Sequence, residues 1–165
     1  MRILVISDTH IQTKSGKLPP VIQKEASSSD YCLHCGDFTT YRIYEKLEFL
    51  TKTYGVCGNM DDDEVHEKLP SKCLIKIEQI TLGLIHGGGS PNNLIYYINQ
   101  EFSKNIDEID IFVFGHSHLP VNEKIKDKIY FNPGSSTDKV SAPYRSYGII
   151  QINGKSINAK VVKIG

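Results

Sequence analysis

Residues 2–10 read Arg-Ile-Leu-Val-Ile-Ser-Asp-Thr-His, an apolar run that ends abruptly in polar residues. A near-continuous apolar run rich in β-branched residues is typical of a strand buried on both faces of its sheet. Ser7 to His10 then leave the strand with polar groups. This segment therefore predicts a buried strand with Asp8 and His10 just beyond its carboxyl end.

The pattern of a short apolar strand followed by polar residues recurs along the first half of the chain. Residues 31–35 and 53–57 are two further predicted strands, and helical segments at 21–26 and 40–51 separate the three strands. Strand, helix, strand, helix, strand is the order of βαβ units, which build parallel sheets. The first half is therefore predicted to be α/β.

The second half is predicted to be richer in strands. Residues 74–77 and 82–85 indicate paired strands, 92–102 a helix and 111–114 another buried strand. From residue 121 onward, short β-rich segments recur at turn sequences. One of these turns is Asn153-Gly154, and this dipeptide is the strongest short signal of a tight hairpin.

Length and composition are those of an ordinary globular domain. The chain has 165 residues, 39% apolar and 23% charged, with no repeat or linker, so residues 1–165 are expected to form one domain. Equal numbers of basic and acidic residues, 19 of each, give no electrostatic signal for nucleic acid or anionic membranes. An oligomer is compatible with this composition, which does not determine the oligomeric state.

A cytoplasmic location is expected, because the sequence shows neither a membrane span nor a signal peptide. No apolar run approaches the ~20 residues that a spanning helix needs. The N-terminus lacks the long apolar core and small-residue cleavage site of a secretory signal. Thiols are therefore expected to be reduced.

Four cysteines are present, at positions 32, 35, 57 and 73. Cys32 and Cys35 have the spacing of a zinc or redox pair, but no second pair follows at zinc-ribbon spacing. Cys32 also lies within an apolar run. Because free cysteine is among the most buried residue types, all four are predicted to be buried and structural, with a redox or metal role as the alternative.

Polar residues follow five of the predicted strands by one or two positions. These residues are Asp8, Asp37, Asn59, His86 and His116. Because sites in open α/β sheets lie beyond the carboxyl ends of the strands, we expect them to converge on one rim. Carboxylate, imidazole and amide ligands suit manganese, iron, nickel or zinc.

Five short motifs at these positions make the sequence similar to the calcineurin-like metallophosphoesterases. They occur in order as Asp8-Thr9-His10, Gly36-Asp37, Gly58-Asn59-Met60-Asp61, His86-Gly87 and Gly115-His116-Ser117-His118. The short chain and the segment Asn132-Pro133-Gly134-Ser135 resemble the small YfcE-type phosphodiesterase branch. The resemblance implies an α/β (α+β) fold, a four-layer αββα sandwich of two mixed β-sheets flanked by helices.

The same resemblance implies two divalent metal ions, with manganese as the first candidate and iron, nickel or zinc as alternatives. Asp8, His10 and His118 would hold one ion, and Asn59, His86 and His116 the other. Asp37 would bridge both ions, and Asp37, Asn59 and His86 are also predicted to act in catalysis. Two such ions clamp a phosphate and generate a hydroxide nucleophile near neutral pH. The expected substrate is a small phosphodiester.

The sequence departs from the family pattern at two motifs. Relatives usually carry a histidine where this chain has Met60, and that histidine contacts the phosphate and assists the leaving group. A thioether has no proton to give, so a preference for good leaving groups such as aryl phosphodiesters is expected. Where many relatives have His-Gly-His, this chain has three glycines after His86, which predicts a more open site or a more mobile loop.

Three other polar residues receive separate predictions. His34 is predicted to be a hydrogen-bonded core histidine or a support for a metal ligand, rather than a ligand itself. His66 lies in a charged segment and is predicted to be solvated. Asp61 is predicted to orient a neighbouring ligand, to be an acid at the N-terminus of a following helix, or to do both.

Three alternative functions remain open. The first is a non-catalytic interaction scaffold, because the retromer sorting subunit resembles this fold. The complete set of candidate ligands favours catalysis instead. The second is a phosphomonoesterase, but Met60 and the compact chain argue against this function. The third is a nuclease, which the neutral charge does not support. Substrate choice is expected to depend on the loops at 11–19, 61–70 and 87–93.

Overall fold

The computed structural model describes residues 1–12 and 16–165, so part of the predicted substrate loop at 11–19 lies outside the described residues. In the described residues the chain forms ten strands, four α-helices and two short 3-10 turns. The strands are β1 (Arg2–Ile6), β2 (Tyr31–His34), β3 (Lys52–Gly55), β4 (Lys72–Ile77), β5 (Ile80–Ile85), β6 (Ile111–Val113), β7 (Val121–Ile125), β8 (Lys128–Asn132), β9 (Ser146–Asn153) and β10 (Ser156–Lys163). The helices are α1 (Pro20–Ser27), α2 (Tyr41–Leu50), α3 (Asp63–Lys68) and α4 (Leu94–Glu101), and the 3-10 turns are Pro91–Asn93 and Ile106–Glu108.

The first sheet has the strand order β10-β9-β1-β2-β3. β1, β2 and β3 are parallel, as the βαβ pattern predicts, whereas β9 joins β1 antiparallel and β10 joins β9 antiparallel. β1 therefore lies in the middle of the sheet, where its apolar residues are buried on both faces. The carboxyl ends of the three parallel strands meet at one edge.

The second sheet has the order β4-β5-β6-β8-β7 and is also mixed. Its three inner strands, β5, β6 and β8, are parallel, and the outer strands β4 and β7 pair antiparallel with their neighbours. The carboxyl ends of the inner strands form a second edge at which polar residues can gather.

The two sheets pack face to face and are covered by helices on their outer faces. Ile3 and Val5 of β1 share the inter-sheet core with residues of the second sheet such as Leu82. On the outer face of the first sheet, Leu4 and Ile6 pack among residues of α1 and α2. On the outer face of the second sheet, Ile98 of α4 packs in a third cluster. These layers are helix, sheet, sheet and helix, which confirms the predicted αββα sandwich of two mixed sheets.

The alternation of Ile3, Leu4, Val5 and Ile6 between two cores explains why the first strand is apolar throughout. All four side chains are fully buried. Each side chain of this size contributes about 1.5–3 kcal/mol by leaving water. Burial on both faces therefore fixes β1 in the centre of the fold and with it the position of the residues that follow.

α3 is the element that hydrophobic periodicity does not predict. It has six residues and buries Val65, which is too little to display a helical pattern. The Asp62 carboxylate begins the helix by accepting a hydrogen bond from the N–H of Val65 at 3.0 Å. Within residues 1–12 and 16–165, no helix is long and apolar enough to cross a membrane.

Candidate metal centre

The structure brings together all seven residues that the sequence predicts as metal ligands. They lie beyond the carboxyl ends of β1, β2, β3, β5 and β6. The strands end earlier than predicted, so the spacing of one or two positions is wrong for three of them: Asp37, Asn59 and His116 lie three, four and three residues beyond their strands. The chain turns out of the sheet before each of these side chains reaches the common rim.

Asp8, His10 and His118 form the first group of donor atoms. His118 Nε2 lies 3.4 Å from Asp8 Oδ1, and His10 Nε2 lies 3.9 Å from the same oxygen. The two imidazole nitrogens, His10 Nε2 and His118 Nε2, are 3.2 Å apart. These three donor atoms are close enough together to bind one metal ion.

Asn59, His86 and His116 form the second group. Asn59 Oδ1 lies 3.1 Å from His86 Nε2 and 3.2 Å from His116 Nδ1. Asp37 Oδ2 lies 3.5 Å from His86 Nε2 in this group and 3.6 Å from His10 Nε2 in the first group. The carboxylate of Asp37 therefore lies between the two groups.

Backbone carbonyls orient two of the imidazole rings. His86 Nδ1 lies 2.7 Å from the carbonyl oxygen of Cys35, and His116 Nε2 lies 3.0 Å from that of Gly89. Because a carbonyl only accepts, each of these nitrogens carries the proton and donates. The other nitrogen of each ring then presents its lone pair towards Asn59, which is the state in which histidine binds a metal.

Asp8 is the most buried charge in the site. Its Oδ2 accepts a hydrogen bond from the N–H of His116 at 3.1 Å, whereas Oδ1 has no hydrogen-bond partner within the described part of the chain. Burial opposes ionisation of this carboxyl, but the proximity of His118 and His86 outweighs it and lowers the pKa of Asp8. A buried anionic oxygen without a donor is costly unless a cation neutralises it, so the donor set fits a divalent metal ion.

Most of the candidate ligands have a left-handed backbone conformation. The φ angles of five of them are positive, namely Asp8 (51°), His10 (44°), Asp37 (58°), His116 (69°) and His118 (57°). For residues other than glycine this conformation costs roughly 1–2 kcal/mol each. Such strain persists where the surrounding structure enforces it, and it gathers at functional sites.

A neighbouring turn requires glycine at position 36. Gly36 has a φ of +94°, and an added Cβ would lie 2.8 Å from His86 Nδ1 and 2.9 Å from the N of Gly58. Both distances are too short for a side chain. The absence of a side chain at Gly36 therefore allows the turns that carry Asp37 and Asn59 to approach each other.

Comparison with known proteins gives the family. The family model described as a calcineurin-like phosphoesterase superfamily domain matches residues 1–155. The chain belongs to this superfamily. A probable metallophosphoesterase of Methanocaldococcus jannaschii is 32% identical over 168 residues, which cover 99% of this chain and 82% of that relative. Membership implies divalent metal ions, in agreement with the donor groups at the rim.

Solved structures of the superfamily fold match the whole domain. The wild-type Vps29 protein of Entamoeba histolytica, solved as a zinc complex, is 24% identical with a TM-score of 0.74, and the match covers 99% of both chains. A protein described as a novel archaeal phosphodiesterase is 21% identical with a TM-score of 0.71, covering 98% of this chain and 100% of that one. At these identities the matches show the common fold.

Asp61 supports the ligand turns of the calcineurin-like domain, as one of its two predicted roles requires. Its carboxylate accepts the backbone N–H groups of Asp37 at 3.0 Å, Thr39 at 2.7 Å and Gly58 at 2.7 Å. The alternative role is wrong, because the following helix begins at Asp63 and is capped by Asp62.

His34 and His66 occupy the environments that the sequence predicts. His34 is fully buried, donates through Nε2 to Thr9 Oγ1 at 3.1 Å and accepts through Nδ1 from the N–H of Gly36 at 3.2 Å. Burial lowers the pKa of His34 to about 3, so the ring is neutral and supports the ligand turns. His66 is exposed on α3.

The prediction that the cysteines are buried is right for two of the four. Cys32 and Cys35 are fully buried and free, and burial raises the pKa of both thiols. Cys57 and Cys73 are free but only half-buried, and each packs against a core cluster without belonging to its buried residues.

Met60 and the glycine-rich segment, residues 87–89, lie beside the donor groups. The side chain of Met60 is exposed, and its backbone N–H donates to Asp37 Oδ1 at 2.8 Å. The carbonyl of Gly89 accepts the hydrogen bond from His116, so this part of the glycine-rich segment is attached to the site.

Three supporting residues near the C-terminus have no role predicted from the sequence. Ser135 Oγ donates to the carbonyl of Asp8 at 2.7 Å, and Thr137 Oγ1 donates to the carbonyl of Thr9 at 2.8 Å. Asp138 accepts a hydrogen bond from His118 Nδ1. They follow the parallel strand β8 by three, five and six residues, so they reach the same rim from a spacing too long for the rule that identifies the ligands.

Proposed function

We propose that the chain hydrolyses small phosphodiesters with the help of two divalent metal ions, manganese being the first candidate. The observation that carries the proposal is the position of Asp37 Oδ2, which lies 3.6 Å from a histidine nitrogen of the first group and 3.5 Å from one of the second. One carboxylate between two complete donor groups is the arrangement that a pair of metal ions needs. The fold that the chain shares with an archaeal phosphodiesterase supports the proposal.

In the proposed centre, each donor group holds one ion. Asp8, His10 and His118 would bind the first, Asn59, His86 and His116 the second, and Asp37 both. When bound, such ions supply Lewis-acid chemistry, because they polarise phosphate oxygens and lower the pKa of water. The carboxylates of Asp8 and Asp37 offset the positive charge of the ions.

The protein's own part in the proposed reaction is to hold the ligands in place. Cys35 and Gly89 fix the rings of His86 and His116 through their carbonyls, and Asp61 fixes the turns before Asp37 and Asn59. Preorganised ligands avoid the cost of rearranging during the reaction. At the position of Met60 the chain has no proton to donate, and without this help a leaving group that is stable as an anion is favoured, as in aryl esters.

Two recesses beside the centre favour a diester over a monoester. One has a volume of about 270 Å³ and is lined by Asn59 and His86 together with residues outside the donor groups such as His66 and Tyr97. The other has a volume of about 470 Å³ and borders His10 and His118. A phosphodiester has two ester substituents, one for each recess, whereas a monoester would use only one.

The first experiment measures hydrolysis after metal removal and replacement. The protein is stripped with a chelator and supplied with manganese, and the initial rates on bis-p-nitrophenyl phosphate and p-nitrophenyl phosphate are compared. We expect manganese to restore activity, with the diester preferred. Asp37→Asn should abolish this activity. Asp127→Asn, at an exposed carboxylate in the turn after β7, is the matched control and should retain it.

Two results would contradict the proposal. A preference for the monoester would identify a phosphomonoesterase. Binding of two ions without turnover would favour the second candidate, an interaction scaffold. The observation in favour of a scaffold is that the fold matches a protein described as vacuolar protein sorting 29, from Cryptosporidium parvum, over 99% of this chain and 97% of that one.

A further inference from the structure

Asp138 is a carboxylate outside the predicted ligand set that contacts one of the candidate ligands. Its Oδ2 accepts a short hydrogen bond from His118 Nδ1. Its Oδ1 accepts the backbone N–H groups of Val140 at 2.7 Å and Ser141 at 3.0 Å. The two oxygens therefore have different partners, and all of these partners are donors.

The segment that carries Asp138 is attached to the loop that carries Asp8. Ser135 Oγ donates to the carbonyl of Asp8 and accepts the N–H of Asp138 at 3.0 Å. Thr137 Oγ1 donates to the carbonyl of Thr9. The Asp138 carboxylate thus has a fixed position relative to the first donor group.

This contact determines which nitrogen of His118 carries a proton. A carboxylate accepts, so Nδ1 donates, and in the neutral ring Nε2 is left with the lone pair. His118 Nε2 is the atom that lies 3.4 Å from Asp8 Oδ1 and 3.2 Å from His10 Nε2. Carbonyl groups perform the same task for His86 and His116, but a carboxylate is a stronger acceptor and makes the ring a better metal ligand.

We propose that Asp138 is a positioning residue, which fixes the tautomer of His118 and thereby the affinity of the metal position formed by Asp8, His10 and His118. The statement about affinity rests on the proposed two-metal function. The statement about the tautomer does not, because it concerns the metal-free protein as well. The second metal position has no contact with Asp138 and is expected to be unaffected by its replacement.

Asp138→Asn is the informative variant because an amide has one acceptor and one donor end. With its oxygen towards Val140 and Ser141, its NH₂ group would donate to His118 Nδ1. The proton of His118 would then move to Nε2, the nitrogen that must bind the metal. The opposite orientation would place the NH₂ group against two N–H donors, which is unfavourable.

Asp138→Ala distinguishes an effect on the His118 tautomer from an effect on the stability of the fold. Alanine removes the acceptor for Val140 and Ser141, so this variant should unfold at a lower temperature than Asp138→Asn. Alanine also leaves His118 free to adopt either tautomer. It should therefore bind metal better than Asp138→Asn does. If Asp138 had only a structural role, Asp138→Ala would be worse than Asp138→Asn in both thermal stability and metal affinity.

The experiment counts bound manganese by equilibrium dialysis of the full chain and its variants, with Asp127→Asn as the control. We expect the wild type and control to bind two ions, and Asp138→Asn to lose about 10–100-fold in affinity for one of them. The neighbouring carboxylates of Asp8 and Asp138 raise the pKa of His118 to about 9. Nitrogen-15 NMR of the histidine rings in metal-free protein above this pH, where the ring is neutral, reports the tautomer directly. We expect the proton on Nδ1 in the wild type and on Nε2 in Asp138→Asn.

The outcomes separate this inference from the proposed function. Unchanged affinity for both ions in Asp138→Asn, or an unchanged tautomer, would overturn the role of Asp138. A wild-type protein that binds no metal would overturn the proposed function and the statement about affinity. In that case the NMR result still decides whether Asp138 positions His118.

Discussion

Replacement of Asp61 with alanine is expected to weaken the fold and the candidate metal centre together. The Asp61 carboxylate accepts three backbone N–H groups, those of Asp37, Thr39 and Gly58. These amides belong to the two turns that carry Asp37 and Asn59. Without the carboxylate, the turns lose their common acceptor.

The size of the effect follows from the number of amides that are left without a partner. Each costs about 1 kcal/mol, the lower end of the usual range, because Asp61 is only half-buried and water can replace part of each bond. The total is roughly 3 kcal/mol. In a chain of this size each kcal/mol lowers Tm by about 2–4 °C, so Tm should fall by roughly 6–12 °C.

Asp62→Ala is the matched control, because it removes a carboxylate from the adjacent residue. Asp62 accepts one N–H, that of Val65, at the start of α3. Its loss should cost about 1 kcal/mol, and Tm should fall by about 2–4 °C. The backbone N–H of Asp62 donates to the carbonyl of Thr39 at 3.1 Å, and alanine keeps this bond. Because the Asp62 carboxylate itself accepts from α3 rather than from the ligand turns, metal binding should be unchanged.

Thermal unfolding followed by circular dichroism, with chelator and with manganese, tests both parts. Manganese at 100 times its Kd should stabilise the wild type and Asp62→Ala by about 2.7 kcal/mol. Asp61→Ala should lose most of this stabilisation. Equal Tm values for the two variants, or an equal response to manganese, would refute the reasoning.

Three further predictions concern single positions. Met60→His should raise the rate on alkyl phosphodiesters relative to aryl ones by at least about 10-fold, because histidine can protonate a poor leaving group. Initial rates on both esters measure this ratio, and an equal wild-type rate on both would contradict the reasoning. Gly115→Ala should abolish manganese binding in equilibrium dialysis, because an added Cβ would overlap Ser7 Oγ and lie 2.7 Å from Asp8 Oδ2, which displaces the turn that carries Asp8. Retained binding would show that this turn can move without loss of the site. Cys32 and Cys35 should resist Ellman's reagent in the folded protein, because burial raises the pKa of both thiols; no more than two of the four thiols should react before urea is added, and four afterwards.

The sequence predicts those parts of the fold in which the pattern of residues is compatible with only one local structure. The apolar run at residues 2–7 can be satisfied only by burial on both faces, and β1 is buried in this way. The helices at 21–26 and 40–51 have the spacing of one buried face, and α1 and α2 follow them within one or two residues. The ligands are expected to lie close together because the carboxyl ends of parallel strands meet at one edge of the sheet.

The remaining features depend on partners that are distant in sequence. Hydrophobic patterning indicates strands after residue 121 but not that β9 pairs with β1. Asp138 is 20 residues from His118, and sequence order does not show that they meet. The left-handed φ of Asp8 or His116 results from the packing of several turns at once, so local propensity does not predict it.

The attachment of Asp8 to Ser135 affects how the centre forms during protein synthesis. All seven candidate ligands have been translated once residue 118 is made, but the carbonyl of Asp8 still lacks Ser135 and β1 still lacks its neighbour β9. The nascent segment 1–118 therefore leaves the ribosome with its ligands present and its central strand unpaired on one side. Metal capture should consequently be a late event, completed only when the final hairpin closes against the first strand.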